Sequence, residues 1–193
     1  MITRVNLKVE DIFHPMPVLE SDRLVLRRME PRDAPGLFAY TSDPDMVKHL
    51  PLSLTPDLAD AEKAIDGFME MYAARRVAPW GISLKATDEH IGICGFESWN
   101  AMTDRAEIGF IVARAQWNKG YATEAATRVM RFGFEVMHLN RLEARCKIEN
   151  EVSSHLLERL GMQYEGLLRE HSYWKGAYHD LKLYSLLKRE FKG

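Results

Sequence analysis

The first half of the chain alternates short apolar runs of strand character with two segments of helical period. Thr55 followed by Pro56 has the chemistry of a helix N-cap with proline in the first turn, and apolar residues at helical spacing continue this predicted helix to about residue 76. A shorter helix is predicted over 33–40, after Pro31. The predicted strands of this half are residues 23–28, 79–85, 91–99 and 105–112, and the middle two form a β-hairpin.

In the second half of the chain, the spacing of the apolar residues changes to a helical period. Charged and hydroxyl residues of the segment 121–137 occupy one arc of about 100°, with small and apolar residues elsewhere, which predicts an amphipathic helix. Three further elements are predicted after it: a strand over 141–148, a helix over 150–160 ended by Gly161, and two long strands within 163–187 joined at 175–178. Several strands followed by strand–helix–strand–helix–strand predict a mixed α/β domain with one central sheet.

No sequence feature marks a boundary between domains, because repeats, low-complexity tracts and Gly/Ser linkers are not found. A chain of 193 residues is long enough to bury the core of one self-sufficient domain. We therefore predict a single domain over 21–193. Residues 1–20, which include two prolines in 14–17, are interpreted as an irregular lead-in.

The charge balance and the residue counts exclude several functions. With 28 acidic and 26 basic side chains the net charge is −2, whereas nucleic-acid binding normally needs a basic excess. Because no apolar run is long enough to span a membrane and the first residues are polar, we expect a cytoplasmic protein with no membrane partner. The histidines and the two cysteines show no metal-ligand spacing, so we predict no metal site and interpret Cys94 and Cys146 as reduced core residues.

The loop 116–123, between a strand and the amphipathic helix, is the first candidate binding site. Unpaired N–H groups at a helix start attract an anion, and the helix dipole reinforces them. Gly120 permits close backbone approach, Lys119 adds a positive charge, and the Thr123 hydroxyl lies in the first turn. The same arrangement also occurs where a helix merely packs tightly on a sheet, so both interpretations stay open. The P-loop and Rossmann fingerprints are not present.

The start of the last predicted helix is the second candidate. Asn150 has the chemistry of an N-cap, which is compatible with ligand contact. On a helical wheel Ser153 lies at the centre of an apolar stripe and Ser154 points away; the stripe consists of Val152, Leu156, Leu157 and Leu160. A hydroxyl in an apolar stripe needs a partner, which is either a ligand or a backbone carbonyl one turn back.

The third candidate is Glu107, a lone carboxylate in the otherwise apolar strand 106–113. A half-buried carboxylate can have its pKa raised toward neutrality, which suits a general base. A solvent-facing or salt-bridged glutamate is the alternative interpretation. Glu143, on the following strand, is a rival for the same role.

A series of motifs occurs in order along residues 20–191. They are the segments 21–27, 43–44, 106–110, 116–126, 139–144, Asn150 with Ser153, 157–161, 165–169 and 180–187. Together they resemble the GNAT family of acetyl-CoA-dependent N-acetyltransferases, and more narrowly its branch of Rim-type ribosomal-protein N-terminal acetyltransferases. The resemblance implies one mixed, mostly antiparallel sheet of about seven strands, flanked by about four helices.

The resemblance also implies how acetyl-CoA binds, and no metal is part of it. Backbone N–H groups of the loop hold the pyrophosphate of coenzyme A, with Gly120 and Ala122 matching the family motif and Asn118 standing where glycine is frequent. The pantetheine pairs with the strand before the loop like an added strand. The implied coenzyme residues are Phe110, Ile111, Val112, Trp117, Asn118, Lys119, Gly120, Tyr121, Ala122, Thr123 and Asn150.

The implied reaction is direct attack of a primary amine on the acetyl thioester. Glu107 is assigned as the base, acting through water, and a backbone N–H near Ile111 stabilises the oxyanion. Many members of the family protonate the leaving thiolate with a tyrosine, but the matching position here is Leu157. Ser153 therefore becomes the candidate for that role.

The acceptor is less determined by the resemblance. Residues 31–76 and the hairpin around 170–180 should form the acceptor groove, with Tyr173, Trp174 and Asp180 as substrate-binding candidates; packing at an edge strand is the alternative for these side chains. A protein N-terminus, as on a ribosomal protein, is the favoured acceptor. A polyamine or aminoglycoside is the second possibility and a non-catalytic acetyl-CoA sensor the third. The family allows a monomer or a homodimer.

Overall fold

The computed structural model describes residues 8–193. Its α-helices are α1 (Val9–Phe13), α2 (Ala34–Thr41), α3 (Pro44–Val47), α4 (Leu58–Ala73), α5 (Tyr121–Glu135) and α6 (Glu151–Arg159). Its strands are β1 (Leu19–Glu20), β2 (Leu24–Arg27), β3 (Trp80–Leu84), β4 (His90–Asn100), β5 (Arg105–Val112), β6 (Arg141–Lys147), β7 (Gln163–Trp174) and β8 (Ala177–Leu187). Short 3₁₀ turns occupy Pro31–Asp33, Arg114–Gln116 and Lys188–Glu190. The mixed α/β class is confirmed, with eight strands and six helices in the described part of the chain.

The eight strands form one sheet in the order β1-β2-β3-β4-β5-β6-β8-β7. Every neighbouring pair is antiparallel except β5 with β6, which run parallel. A parallel pair needs a crossover, and α5 supplies it. The sheet is therefore mostly antiparallel, and its single parallel pair includes the predicted coenzyme strand β5.

The parallel strands β5 and β6 stay together for only three residue pairs. The register pairs Arg105 with Arg141, then continues through Ala106 and ends where Glu107 faces Glu143. Both strands continue beyond this point, but they no longer pair with each other, while β5 remains paired with β4 as far as Val112. A gap therefore opens in the middle of the sheet.

Two apolar clusters hold the helices against the sheet. The larger cluster contains the buried face of α5, including Val129 and Met130, together with Cys94 of β4. The smaller cluster joins α2 and α4 through Leu37 and Ile65, and Ile93 packs against it. Because successive strand residues point to opposite faces, Cys94 and Ile93 place these two clusters on opposite sides of the sheet.

The predicted irregular lead-in is more ordered than its sequence indicates. Within residues 8–20, α1 brings Phe13 into the core, where its ring centroid lies 5.7 Å from that of Trp80. Leu19 is 2% exposed and pairs with Leu26 as the strand β1. The domain thus begins before residue 21, and the rest of the predicted lead-in, residues 1–7, lies outside the described residues.

The start of α4 differs from the prediction. Asp57 is the N-cap, and its Oδ1 accepts a hydrogen bond from the N–H of Asp60 at 3.0 Å. Thr55 instead donates its backbone N–H to the carbonyl of Thr41 at 3.0 Å, which ties this segment to α2. Aspartate caps at least as well as threonine, so the helix begins at Leu58. Within 8–193 no helix combines the length and the apolarity needed to cross a membrane.

Candidate active site

A cavity of about 1210 Å³ occupies the gap between β5 and β6. Its wall includes Phe110, Ile111 and Val112, the part of β5 that has left β6, and Cys146 and Lys147 on the opposite strand. Because a strand that has lost its neighbour presents backbone hydrogen-bonding groups, the gap can accept an extended, amide-containing chain such as pantetheine.

The loop after β5 turns sharply into α5. Asn118 and Gly120 both have left-handed backbone conformations, with φ values of 61° and 81°. Asparagine is one of the few non-glycine residues that occupies this region readily, so the loop keeps its shape although Asn118 stands where the family often has glycine. The indole of Trp117 donates to the carbonyl of Val112 at 2.8 Å and closes the turn.

The first turn of α5 faces the cavity. Tyr121, Ala122 and Thr123 line it together with Trp117, Asn118 and Gly120. N–H groups in a first helical turn have no intrahelical acceptor, so they are available to an anion. Most of the predicted coenzyme loop is thus brought to the cavity.

Lys119 is the exception in this loop. Its Nζ donates to Gln116 Oε1 at 2.8 Å, and its side chain is not part of the cavity wall. Lys147 and Arg159 do line the cavity, and neither forms an ion pair with a described residue. Positive charge for a phosphate therefore comes from the α5 start and from these two residues. A donor set of this kind fits coenzyme A.

Arg23 fixes the loop from the other side. Its Nη1 donates to the carbonyl of Lys119 at 2.9 Å, and its Nε donates to Glu124 at 2.7 Å. The guanidinium also lies over the ring of Tyr121, 4.5 Å from the centroid. Sequence reasoning missed this contact because about a hundred residues separate Arg23 from the loop.

The opposite wall is built by α6. Asn150 is its N-cap as predicted, and its Oδ1 accepts from the N–H of Ser153 at 3.1 Å. Ser153 and Leu156 line the cavity. The predicted orientation of this helix needs one correction. Ser154 is 4% exposed and is buried with Leu157, whereas Val152, Ser153 and Leu156 line the cavity.

The two neighbouring serines meet the thiol of Cys146. Ser154 Oγ lies 3.4 Å from Cys146 Sγ and accepts from Lys182 Nζ at 3.3 Å. Burial raises the pKa of the Cys146 thiol, although hydrogen bonds from Ser154 and Ser153 oppose this shift. The thiol is therefore protonated near neutral pH, and Cys146, like Cys94, is a free buried cysteine.

Glu107 is buried and paired with a cation. It is 6% exposed, and Arg145 forms two hydrogen bonds with its carboxylate, of which Nε to Oε1 is 2.5 Å. The rival Glu143 is paired with Arg141 at 2.8 Å and is not part of the cavity wall. The salt-bridged alternative therefore describes both carboxylates.

A third carboxylate, Glu97 on β4, lines the same cavity. It accepts no hydrogen bond and forms no ion pair with any residue in 8–193. The only sequence signal is its position directly after the apolar run 91–96, and the sequence does not show which way it points. Among the described residues, no group of three or more His, Cys, Asp or Glu could hold a metal ion.

The hairpin of β7 and β8 contributes one of its three candidate substrate residues. Trp174 lines the cavity and stacks on His179, with the ring centroids 4.3 Å apart. Tyr173 points away and packs on Tyr178 at 4.9 Å, because adjacent strand residues face opposite sides. Asp180 Oδ1 accepts from a backbone N–H at 2.7 Å within an irregular part of the β7–β8 pairing.

A further part of the cavity wall is mostly apolar. It is formed from α2, α4 and the segment before β3, within and just after the predicted acceptor region 31–76. Its members include Leu37, Phe68, Met71, Val77 and Pro79. This end can accommodate apolar side chains beside the strand gap.

A sheet gap that receives an extended thioester, next to a helix start that receives phosphate, defines the class of acyl-coenzyme-A-dependent transferases. Residues 23–163 match the acetyltransferase (GNAT) domain family, and the chain belongs to that family. It is therefore an N-acetyltransferase that uses acetyl-CoA.

Individual relatives agree with this assignment. The chain is 39% identical over 178 residues to the uncharacterized N-acetyltransferase p20 of Bacillus licheniformis, covering 92% of this chain and 100% of that protein. It is 30% identical over 177 residues to the "Putative ribosomal N-acetyltransferase YdaF" of Bacillus subtilis, covering 90% and 96%. The crystal structure of a GNAT-family acetyltransferase from Bacillus anthracis superposes with a TM-score of 0.79 at 27% identity, covering 90% and 100%.

A shorter match concerns a different acceptor. The chain is 33% identical over 92 residues to the spermidine N(1)-acetyltransferase of Escherichia coli, which covers 48% of this chain and 50% of that enzyme. The ribosomal relative supports the Rim-type branch over nearly the whole length.

Proposed function

We propose that this enzyme transfers the acetyl group of acetyl-CoA to the α-amino group of a protein N-terminus. The apolar wall formed by α2 and α4 supports this proposal, since it offers a surface for the first side chains of an extended peptide. An α-amino group has a reference pKa near 8, against about 10.4 for lysine, so it loses its proton more easily. The resemblance to a ribosomal N-acetyltransferase favours the same class of acceptor.

The observation that carries the proposal is the charge of the cavity wall. Among the described lining residues, three have carboxylates: Asp45, Glu97 and Glu107. Asp45 accepts from Arg114 at 2.8 Å and Glu107 is held by Arg145, so only Glu97 is free to meet an ammonium group. A protein N-terminus brings one ammonium group to this place. Polyamines and aminoglycosides bring several, which would need further free carboxylates.

The coenzyme roles follow from the same geometry. Backbone groups of Phe110, Ile111 and Val112 would pair with pantetheine, and the α5 start would hold the pyrophosphate. The N–H near Ile111 would stabilise the oxyanion, and the Ser153 hydroxyl would meet the leaving thiolate. Asn150 would shape the site through its cap on α6. The role of Glu107 as base stays a prediction, and its ion pair opposes it, because a carboxylate held by a guanidinium is a poor proton acceptor.

The test is a comparison of acceptors by thiol release from acetyl-CoA and by mass spectrometry of the product. Lysine-free peptides with a free N-terminus and differing first residues are expected to become acetylated at the α-amino group. The matched control is the same peptide with a blocked N-terminus and an added lysine, which is expected to stay unmodified. Higher kcat/KM for spermidine or an aminoglycoside than for every free peptide would overturn the proposal.

A further inference from the structure

Alternation along β4 places the side chain of Glu97 on the same face as Ile93 and Gly95, which also line the cavity. Phe96 pairs with Ile108 and Ser98 pairs with Glu107, so Glu97 is an extra residue without a partner on β5. Phe96 enters the core, and Glu97 joins the wall of the cavity.

The carboxylate of Glu97 lies over the backbone of Gly109. A Cβ atom at position 109 would overlap Oε1 of Glu97, and the next nearest atoms are also in the Glu97 side chain. The glycine therefore makes room for the carboxylate. The next residue, Phe110, lies in the part of β5 that no longer pairs with β6, where the thioester is proposed to lie. Glu97 thus stands beside the strand at which acetyl transfer would occur.

The polar groups around Glu97 come from three strands. Glu107 of β5 and Arg145 of β6 form a buried ion pair, and Arg145 also contacts His171 of β7 through Nη1. Burial in the cavity wall raises the pKa of Glu97, the charge of Glu107 raises it further, and Arg145 lowers it. Glu97 is nevertheless exposed, because water reaches it through the open cavity. It can therefore exchange a proton with both substrate and solvent, which the paired Glu107 cannot do.

We propose that Glu97 is the catalytic base of acetyl transfer and that the Glu107–Arg145 ion pair is a positioning element beside it. This inference rests on the acetyl transfer reaction of the proposed function, but it does not depend on which class of amine accepts the acetyl group. Glu97 takes one proton from the acceptor ammonium group, and the free amine attacks the thioester carbon. A C–N bond forms and the C–S bond breaks, with the sulfur leaving as thiolate. The nitrogen loses a second proton, the thiolate gains one, and Glu97 releases its proton to water.

The test uses the amine that the wild-type enzyme acetylates fastest, whatever its class. Glu97→Gln is expected to lower kcat/KM for this amine by about 100-fold at neutral pH, with the KM for acetyl-CoA unchanged. The loss shrinks as the pH rises past the pKa of the amine, because free amine then forms without a base. Glu135→Gln, an exposed substitution at the end of α5 and outside the cavity wall, is the control and keeps wild-type kinetics.

Two further variants separate geometry from folding. Gly109→Ala leaves Glu97 in place but displaces its carboxylate, which is the flexible end of the side chain, so the same loss is expected. Glu107→Gln removes the charge that raises the pKa of Glu97. Activity requires deprotonated Glu97, so the acidic limb of the kcat/KM profile should move to lower pH in this variant.

Wild-type kcat/KM in Glu97→Gln would overturn the inference, as would loss of turnover in Glu107→Gln with Glu97→Gln active. Failure of peptides as acceptors would refute only the proposed acceptor. The variants would then be measured with the polyamine or other amine that the wild-type enzyme acetylates fastest. If no amine releases thiol, a ¹³C NMR titration of the glutamate carboxyls decides, with Glu97→Gln assigning the signal. An ordinary Glu97 pKa that Glu107→Gln leaves unchanged would overturn the inference.

Discussion

The two sides of the β5–β6 gap are built in different ways. The loop and strand of the coenzyme side come from one continuous segment, in which Trp117 closes on Val112 only five residues away, and Arg23 holds this segment from a distance. The proton-transfer side is assembled from distant segments: Arg145 reaches Glu107 across 38 residues and contacts His171 across 26. A local segment carries its geometry in its own sequence, whereas a cluster of polar side chains on three strands depends on register. The difference predicts where each kind of substitution acts.

The largest expected effect is on stability, at the distant cluster. Arg145→Met removes the cation that compensates Glu107, whose side chain is 7% exposed, and leaves a carboxylate buried without a partner. We expect the free energy of unfolding to fall by about 3 kcal/mol. Denaturant unfolding measures this loss. Arg105→Met, which removes a half-exposed contact to Glu143, is the control and should cost less than about 1 kcal/mol.

A second substitution tests the reason for that loss. In the double variant Arg145→Met with Glu107→Gln, no charge is left buried, so a large part of the stability should return. If the double variant is as unstable as the sum of the two single variants, the ion pair is not the cause. The comparison between a local and a distant side would then lose its energetic basis.

The secondary-structure elements also divide into those that local sequence signals predict and those that depend on distant contacts. The strand 105–112 and the start of α5 are as predicted because alternation and the glycine turn are local signals. The two-residue strand β1 was not predictable, since so short a segment has no period and exists only by pairing with β2. For α4, Thr55 and Asp57 are both acceptable caps, and the bond from Thr55 to Thr41 of α2 decided between them.

The candidate site divides in the same way, into a loop that the sequence predicts and side chains whose surroundings depend on other strands. The loop 117–123 could be predicted as an anion site because its N–H groups, its glycine and its helix lie together in the sequence. Glu107 could be recognised as a polar residue in an apolar strand, but its partner Arg145 lies on another strand. Glu97 could not be identified at all. Both faces of the run 91–96 are apolar, so alternation does not show which face lines the cavity, and the bulge that leaves Glu97 unpaired depends on register with β5.

A smaller effect is expected at the local side. Gly120 has φ of 81°, so Gly120→Ala should strain the loop by about 1–2 kcal/mol and raise the KM for acetyl-CoA about tenfold. At saturating acetyl-CoA, kcat should change much less, because the acceptor side is untouched. Gly67→Ala on α4 is the control: open space surrounds Gly67, so this change should raise the Tm slightly and leave the KM unaltered. An unchanged KM in Gly120→Ala would contradict the role of the loop.

The smallest effect is expected on α6, where Ser153 lines the cavity and the adjacent Ser154 is buried behind it. Ser153→Ala removes a hydroxyl from the cavity wall, and we expect kcat to fall about fivefold, near the 1 kcal/mol of one net hydrogen bond, with the KM for acetyl-CoA unchanged. Ser154→Ala breaks contacts to Cys146 and Lys182 behind the cavity, so it should lower the Tm and leave kcat near wild type. Steady-state kinetics and thermal unfolding of both variants measure the contrast. If Ser154→Ala lowers kcat as much as Ser153→Ala does, the cavity-facing hydroxyl has no separate part in thiolate departure, and α6 acts only as a wall.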